Sequence, residues 1–363
     1  LRRRPIQPEE IKRVVVRGTN WVGDAVMTIP ALRELRRLLP QAHITLVTRS
    51  WSEGLFSDAD FLDDLLLYDR TTNNSIGAVM QQTRSWKQRR FDLAILFQNA
   101  FEAALIASLA RVPQRTGYAT DGRRPLLTHP IQLPAWRKDR HEVFYYLNII
   151  AELEQLLYGS SNILEHEPRF ALTVNPVRQD EARELLRKQG ARLDRTLVAL
   201  CPGSTNSRAK RWPAERYAAL ADKLINEAGA TVALIGTPDE LNVSQDVAAR
   251  MFHQPVMLTG ATDLPQAVAV LSIADLLVTN DTGPAHIAAA LERPTLVIFG
   301  PTDPTTTRPY SRAAEIIRRP PECAPCMLRD CPIDHRCMTA ITPDEVFARA
   351  LSILTKRQAE VHV

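Results

Sequence analysis

Arg13-Val14-Val15-Val16-Arg17-Gly18-Thr19-Asn20-Trp21-Val22-Gly23-Asp24 is the stretch on which the fold turns. Three consecutive β-branched residues read as a short strand with both faces buried, the form a strand takes inside a parallel sheet. A loop bracketed by Gly18 and Gly23 follows at once, and a helical pattern begins beyond it. Strand, glycine-bearing loop and helix in that order are the start of a doubly wound unit, where strand ends and helix N-termini converge and ligands bind.

The same alternation continues outward. In the first half, strands are predicted over 13–17, 44–48 and 93–97, with helical patterns over 31–39, 76–88 and 141–157. In the second half, strands are predicted over 197–201, 231–235, 256–258, 276–279 and 295–299. Helices are predicted there over 214–227, 240–251, 265–274 and 283–291, and a last one over 343–356. Strands interleaved with crossover helices define an α/β class. Pro30 lies too far along for a helix beginning at Asp24, so a kink or a later start is expected there.

A chain of 363 residues with 45% hydrophobic content exceeds what one core usually organises, so two domains are expected. The stretch 158–175, with Gly159, Ser160, Ser161 and Pro168, breaks the periodicity and is read as the connection. The expected division is 1–170, then 171–340, then a terminal helix in 341–363. The 45 Lys and Arg against 41 Asp and Glu leave only +4, scattered rather than striped, which argues against a nucleic-acid partner and suits an anionic substrate or lipid surface. With no signal-peptide pattern at Leu1-Arg2-Arg3-Arg4-Pro5 and no apolar run of about 18 residues or more, a soluble cytoplasmic protein is expected.

Three loops carry the groups able to do chemistry. The first differs from a phosphate loop in having Asp24 and Ala25 where Lys and Ser or Thr would stand. A carboxylate repels phosphate but can take a proton from a sugar hydroxyl. Asp24 could equally cap the helix that follows. The second loop, 202–213, offers Ser204, Thr205 and Lys210 after a strand, an anion cradle in which Lys210 would neutralise a leaving diphosphate. A solvated turn is the alternative. The third, Thr279-Asn280-Asp281-Thr282-Gly283-Pro284-Ala285-His286, places a helix N-terminus after a strand, which favours a diphosphate. Asp281 as an ordinary cap and His286 as an ordinary helix residue are the plainer readings. Two loops from the second half and one base from the first suggest a group transferase with a cleft between its domains.

These pieces, with Gly236-Thr237-Pro238-Asp239-Glu240 and Phe299-Gly300-Pro301-Thr302-Asp303, resemble glycosyltransferase family 9, the lipopolysaccharide heptosyltransferases, and most of all the heptosyltransferase II type. They run in the family's order over nearly the whole chain. The resemblance implies a GT-B architecture, two Rossmann-like domains facing a central cleft, with the C-terminal helix packing back toward the first domain. It implies an inverting, metal-independent transfer from ADP-heptose to the first heptose of a lipid-linked Kdo-bearing core, at the inner face of the inner membrane. Asp24 would be the base. Ser204, Thr205 and Lys210 would hold the diphosphate, and Glu240 in the Gly236 loop would meet ribose or heptose. Asp281, Thr282 and Gly283 would bind donor sugar and phosphate, with His286 in the phosphate shell. Arg115, Arg123, Arg124, Arg137 and Lys138 could meet acidic core groups, although solvated surface is the reading for most of them.

Four of the five cysteines, Cys323, Cys326, Cys331 and Cys337, crowd beside His335, enough ligands for a closed structural zinc site. Reduced thiols or a pair of disulfides are the alternatives, and the implied chemistry needs no cofactor. A nicotinamide oxidoreductase would need a Gly-x-Gly-x-x-Gly after the first strand, which is absent. Two rivals stay open: a family 9 transferase with another acceptor or sugar, and a non-catalytic nucleotide-sugar-binding protein.

Overall fold

The computed structural model describes residues 7–69 and 75–361. The chain divides into two compact units, 1–170 and 171–363.

The first unit is built on a six-stranded sheet, all of whose pairs are parallel, with β1 (Arg13–Arg17), β2 (His43–Arg49), β3 (Asp64–Tyr68), β4 (Leu93–Leu96), β5 (Gln114–Tyr118) and β6 (His129–Ile131) in the order β3-β2-β1-β4-β5-β6. β1 lies between β2 and β4, so Val14, Val15 and Val16 are fully buried. Its helices are α1 (Val22–Met27), α2 (Ile29–Leu38), α3 (Glu53–Phe56), α4 (Ser75–Arg89), α5 (Phe101–Leu109) and α6 (Glu142–Tyr158). The expected break before Pro30 is present: α1 ends at Thr28, whose hydroxyl donates to Ala25 O at 2.7 Å, and α2 restarts with proline in its first turn. Gly159 closes α6 at φ +82°, a left-handed cap that glycine adopts without a Cβ clash.

The second unit repeats the design. Its strands are β7 (Leu197–Cys201), β8 (Thr231–Leu234), β9 (Val256–Met257), β10 (Leu276–Asn280), β11 (Thr295–Phe299) and β12 (Ala314–Arg318), in the order β12-β11-β10-β7-β8-β9. This is the first unit's strand order read from the other edge, the order of doubly wound nucleotide-binding sheets. The helices are α7 (Pro176–Lys188), α8 (Ala214–Asn226), α9 (Leu241–Arg250), α10 (Leu264–Ile273), α11 (Gly283–Ala290), α12 (Pro304–Thr307), α13 (Arg336–Thr339) and α14 (Pro343–Val361).

Four strands and two long helices escape the sequence reading. β3 is leucine-rich rather than β-branched, β5 is polar, β6 contains Pro130, and β12 is a part-exposed edge strand. The missed helices, α5 and α7, lie inside stretches assigned no element. The terminal helix packs on α8 and β10 of its own unit. Val346, Phe347, Ala350, Ile353 and Leu354 enter the second unit's core beside Val198, Leu200 and Trp212. Arg357 also donates to Asp275 O at 2.8 Å. No described helix is long and apolar enough to cross a membrane.

Candidate active site

In each sheet the strand order reverses once, between β1 and β4 and between β10 and β7. The candidate loops follow three of these four strands, which is why a local pattern in sequence finds them: a crevice forms where neighbouring strands send their connections in opposite directions.

Asp24 sits in the first turn of α1, but the residue preceding that helix is Trp21, which makes no side-chain cap bond. The capping alternative for Asp24 therefore fails on position. The carboxyl is half-buried, and burial foremost, then the charge of Glu142, raises its pKa to about 6 against a lowering by Arg137. Glu142 opens α6 and is itself raised by burial, partly countered by Arg137, to which it is paired at 2.7 Å. Arg137 also lies over the Tyr145 ring, 4.2 Å from its centroid. Burial and the Glu142 charge thus outweigh Arg137 and leave Asp24 with a pKa of about 6, ionised at neutral pH and suited to accept a proton.

The end of β1 beside this loop is held by Arg17, almost fully buried. It donates to Gln98 Oε1 at 3.0 Å and Gln82 Oε1 at 2.7 Å, with its guanidinium 3.7 Å from the Tyr68 ring centre. Thr19 in the loop is buried, and its hydroxyl has no hydrogen-bond partner.

The second unit gathers the other candidates. Lys210 donates from Nζ to Asp281 Oδ2 at 2.7 Å and to Asp281 O at 3.1 Å. Thr302 donates from Oγ1 to the same Oδ2 at 2.7 Å. Asp281 is almost fully buried, so it is compensated by a cation and a hydroxyl rather than by water. It does not cap α11; Thr282 precedes that helix and makes no side-chain cap bond. In α11, which begins at Gly283, Pro284 has no N–H and Ala285 N donates to Thr282 O at 3.1 Å, so this helix end offers the positive end of its dipole rather than a row of free donors.

Asn280, absent from the predicted site, joins the two loops. It donates to Pro202 O at 2.8 Å and Gly203 O at 3.1 Å, and accepts from Trp212 N at 3.0 Å. Its signal in sequence was its place beside Asp281 at a strand end. Thr302 was missed in the same way, quoted within a motif without a role.

Glu240 is buried. It accepts from Thr237 N at 2.9 Å and from Thr205 Oγ1 at 3.3 Å. A Cβ on Gly203 would fall 2.3 Å from Glu240 Cδ, and one on Gly236 would fall 3.0 Å from Glu240 Oε2. Both glycines are therefore required for this carboxylate to lie against the loops. Ser204 is buried and contributes its carbonyl to Arg211 at 2.9 Å, while Thr205 is exposed. His286 lies buried within α11.

Other expectations need correction. Arg123 is fully buried, not solvated: it donates to Tyr118 O at 2.7 Å and Asn99 Oδ1 at 2.9 Å, and burial lowers its pKa to about 10. Arg115 is spent on the carbonyls of Leu126 and Val112. Arg124 and Lys138 are exposed. No group of three or more His, Cys, Asp or Glu side chains able to hold a metal is found among the described residues. The four thiols are free and differ in environment, Cys323 exposed and Cys337 buried. Burial first, then the neighbouring Cys331, Cys326 and Cys323, raises Cys337 to about 11.

Comparison with known proteins agrees with this layout. The chain is 30% identical over 320 residues to lipopolysaccharide heptosyltransferase 2 of Salmonella typhimurium, covering 84% of this chain and 88% of that one. It is likewise 30% identical to lipopolysaccharide heptosyltransferase 2 of Escherichia coli K12, with the same coverage. The solved structure of E. coli ADP-heptose LPS heptosyltransferase II superposes with a TM-score of 0.80 at 27% identity, covering 95% of this chain and 99% of that one. A family 9 glycosyltransferase from Veillonella parvula superposes at 0.82 with 26% identity, covering 95% and 97%. Two parallel six-stranded sheets with flanking helices are the GT-B fold. With the model of glycosyltransferase family 9 (heptosyltransferase) matching residues 79–336, this chain belongs to that family and is a glycosyltransferase.

Proposed function

We propose that the protein transfers L-glycero-D-manno-heptose from ADP-heptose to the heptose I residue of the lipopolysaccharide inner core, with inversion at the anomeric carbon. The observation that carries this reading is the buried Asp281 clamped by Lys210 and Thr302 beside the N-terminus of α11, at the switch point of the second sheet. That grouping suits a diphosphate: one cation, the N-terminal end of a helix and a hydroxyl, with the carboxylate neutralised in advance. The names of the relatives support ADP-heptose as the donor and a lipopolysaccharide as the acceptor molecule.

In this mechanism Asp24 takes the proton from the acceptor hydroxyl while that oxygen attacks the anomeric carbon. The bond to the diphosphate breaks on the opposite face, and ADP departs with the electron pair. Lys210 and the positive end of the α11 dipole meet the negative charge that develops on the leaving oxygens, where a preorganised cation contributes most. Glu240, held against Gly203 and Gly236, offers a carboxylate to a sugar hydroxyl. The reaction is proposed to need no cofactor.

The acceptor is lipid-linked, and we place the enzyme at the inner membrane surface. Support comes from α4. Residues 75–90 contain Arg84, Lys87, Arg89 and Arg90 and no acidic residue. Ile76 and Met80 are exposed along the side that carries Arg84 and Lys87, while Trp86 is fully buried on the other. A basic helix with outward apolar residues suits an anionic lipid surface.

The test is ADP release from ADP-heptose with a purified heptose-I-terminated core, comparing the natural chain with Asp24→Ala in chelator. Acceptor-dependent release that falls by about 10²–10⁴-fold in the variant, with donor binding retained, supports the reading. No release from a folded, donor-binding natural chain would overturn it in favour of another acceptor, another sugar or a binding role.

A further inference from the structure

The cysteine-bearing segment has no part in the chemistry described above, yet it is fastened to the loop that carries Lys210. Ala209 N donates to Arg329 O at 2.9 Å. His335 Nε2 lies 2.6 Å from Ala209 O. A carbonyl only accepts, so that ring nitrogen carries the proton. Ser207 Oγ donates to Arg329 O at 3.2 Å and to Leu328 O at 3.3 Å.

Both peptide groups that flank Ala209, the residue before Lys210, are thus fixed by one external segment. The segment also grips the loop bearing the other donor to Asp281: Met327 N donates to Pro301 O at 2.9 Å, next to Thr302. A Cβ at Gly300 would lie 2.4 Å from Met338 Sδ, so α13 presses directly on that backbone.

His335 adopts φ +58°, a left-handed conformation that costs free energy in a non-glycine residue. The strain places the ring toward Ala209 immediately before α13 begins. The pair Arg208–Asp330 adds little to the attachment, because both side chains are largely exposed and water screens them.

We propose that residues 327–338 form a strap that positions the Lys210 and Thr302 loops on Asp281 for the donor diphosphate, with His335 as its positioning residue. The strap's hold on the loops is independent of the ligand; its link to the diphosphate rests on the function proposed above. The strap explains why a segment outside both sheets is joined to the two loops by two main-chain hydrogen bonds and by the side chains of His335 and Ser207.

The experiment uses the full chain and three variants: His335→Ala, His335→Phe, which keeps a ring without a donor, and His335→Gln, whose amide can donate at a similar reach. Hydrogen exchange over 203–213 is followed in the ligand-free protein, and ADP affinity is measured by calorimetry. Loss of this half-buried donor is expected to speed exchange across 203–213 and weaken ADP by about tenfold each, with His335→Gln restoring most of both. If His335→Ala does not fold, His335→Phe carries the comparison. Exchange over 203–213 that is the same in the natural chain and the non-donor variants would overturn the strap, as would failure of His335→Gln to restore it. The expected exchange pattern in a natural chain that binds no ADP would instead overturn the donor reading and leave the strap as the device that holds Lys210 on Asp281.

Discussion

Asp24 is the residue on which the rate should depend most simply. Its carboxyl is raised to about 6 by burial and then by Glu142, while Arg137 pulls it down. A base must be ionised, so kcat for transfer should rise with pH through an inflection near 6. Glu142→Gln removes the neighbouring negative charge and should move that inflection to lower pH, whereas Arg137→Ala should move it upward. Unmoved pH–rate profiles in both variants would show that another group sets the acid limb. The same shift carries a sign for stability: because the folded state holds this proton more tightly than the unfolded chain, Asp24 favours folding most below about pH 4 and progressively less up to about pH 6. Asp24 itself was legible in sequence as a carboxylate where a phosphate loop would carry a lysine. Its partners were not, since Glu142 and Arg137 lie more than a hundred residues downstream and reach it only through the packing of α6 against α1.

At the scale of elements, short buried strands and amphipathic helices were readable wherever burial wrote a period into the sequence. β1, β7 and β11 are found over their full observed ranges because neighbours on both sides require apolar residues throughout. Edge strands such as β3 and β6 have one neighbour, carry a weaker constraint and so leave a weaker pattern. α4 shows what an element can reveal beyond its period. Its buried side is fixed by Trp86 packed edge-to-face on Phe91, which leaves Ile76, Met80, Arg84 and Lys87 outward. We expect the chain to co-sediment with vesicles containing anionic phospholipid and to stay in solution with neutral ones. The double variant Arg84→Glu and Lys87→Glu should weaken that association by at least about tenfold, each basic residue near such a surface contributing about 1 kcal/mol. Transfer to a soluble, delipidated acceptor should not change. Equal sedimentation of variant and natural chain would remove α4 from the docking surface.

For the whole molecule, the two units carry separate sheets of the same strand order, and the terminal helix is part of the second one's core. Burying Val346, Phe347, Ile353 and Leu354 stabilises that unit by about 1.5–3 kcal/mol per side chain, a sum comparable with the roughly 5–15 kcal/mol that holds a domain together. A chain ending at residue 342 should therefore lose the cooperative unfolding transition of its second unit together with ADP binding. Retention of both in calorimetry would show that α14 is dispensable.

The sequence by itself determined the class of fold, the existence of two units and the positions of the three candidate loops at strand ends, because burial period, turn residues and strand-to-helix junctions are local constraints that each segment must satisfy on its own. Tertiary structure alone decided what those loops do to one another. Lys210 and Asp281 are 71 positions apart, and Thr302 reaches the same carboxylate oxygen from a third loop. Ala209 is fixed from a segment more than a hundred residues further on. Such pairings depend on which strands become neighbours in the sheet, and no single segment encodes its neighbour. The cysteine spacing marks the same limit: four thiols close in sequence take different environments, with Cys323 exposed and Cys337 buried, and their spacing alone does not say which is which.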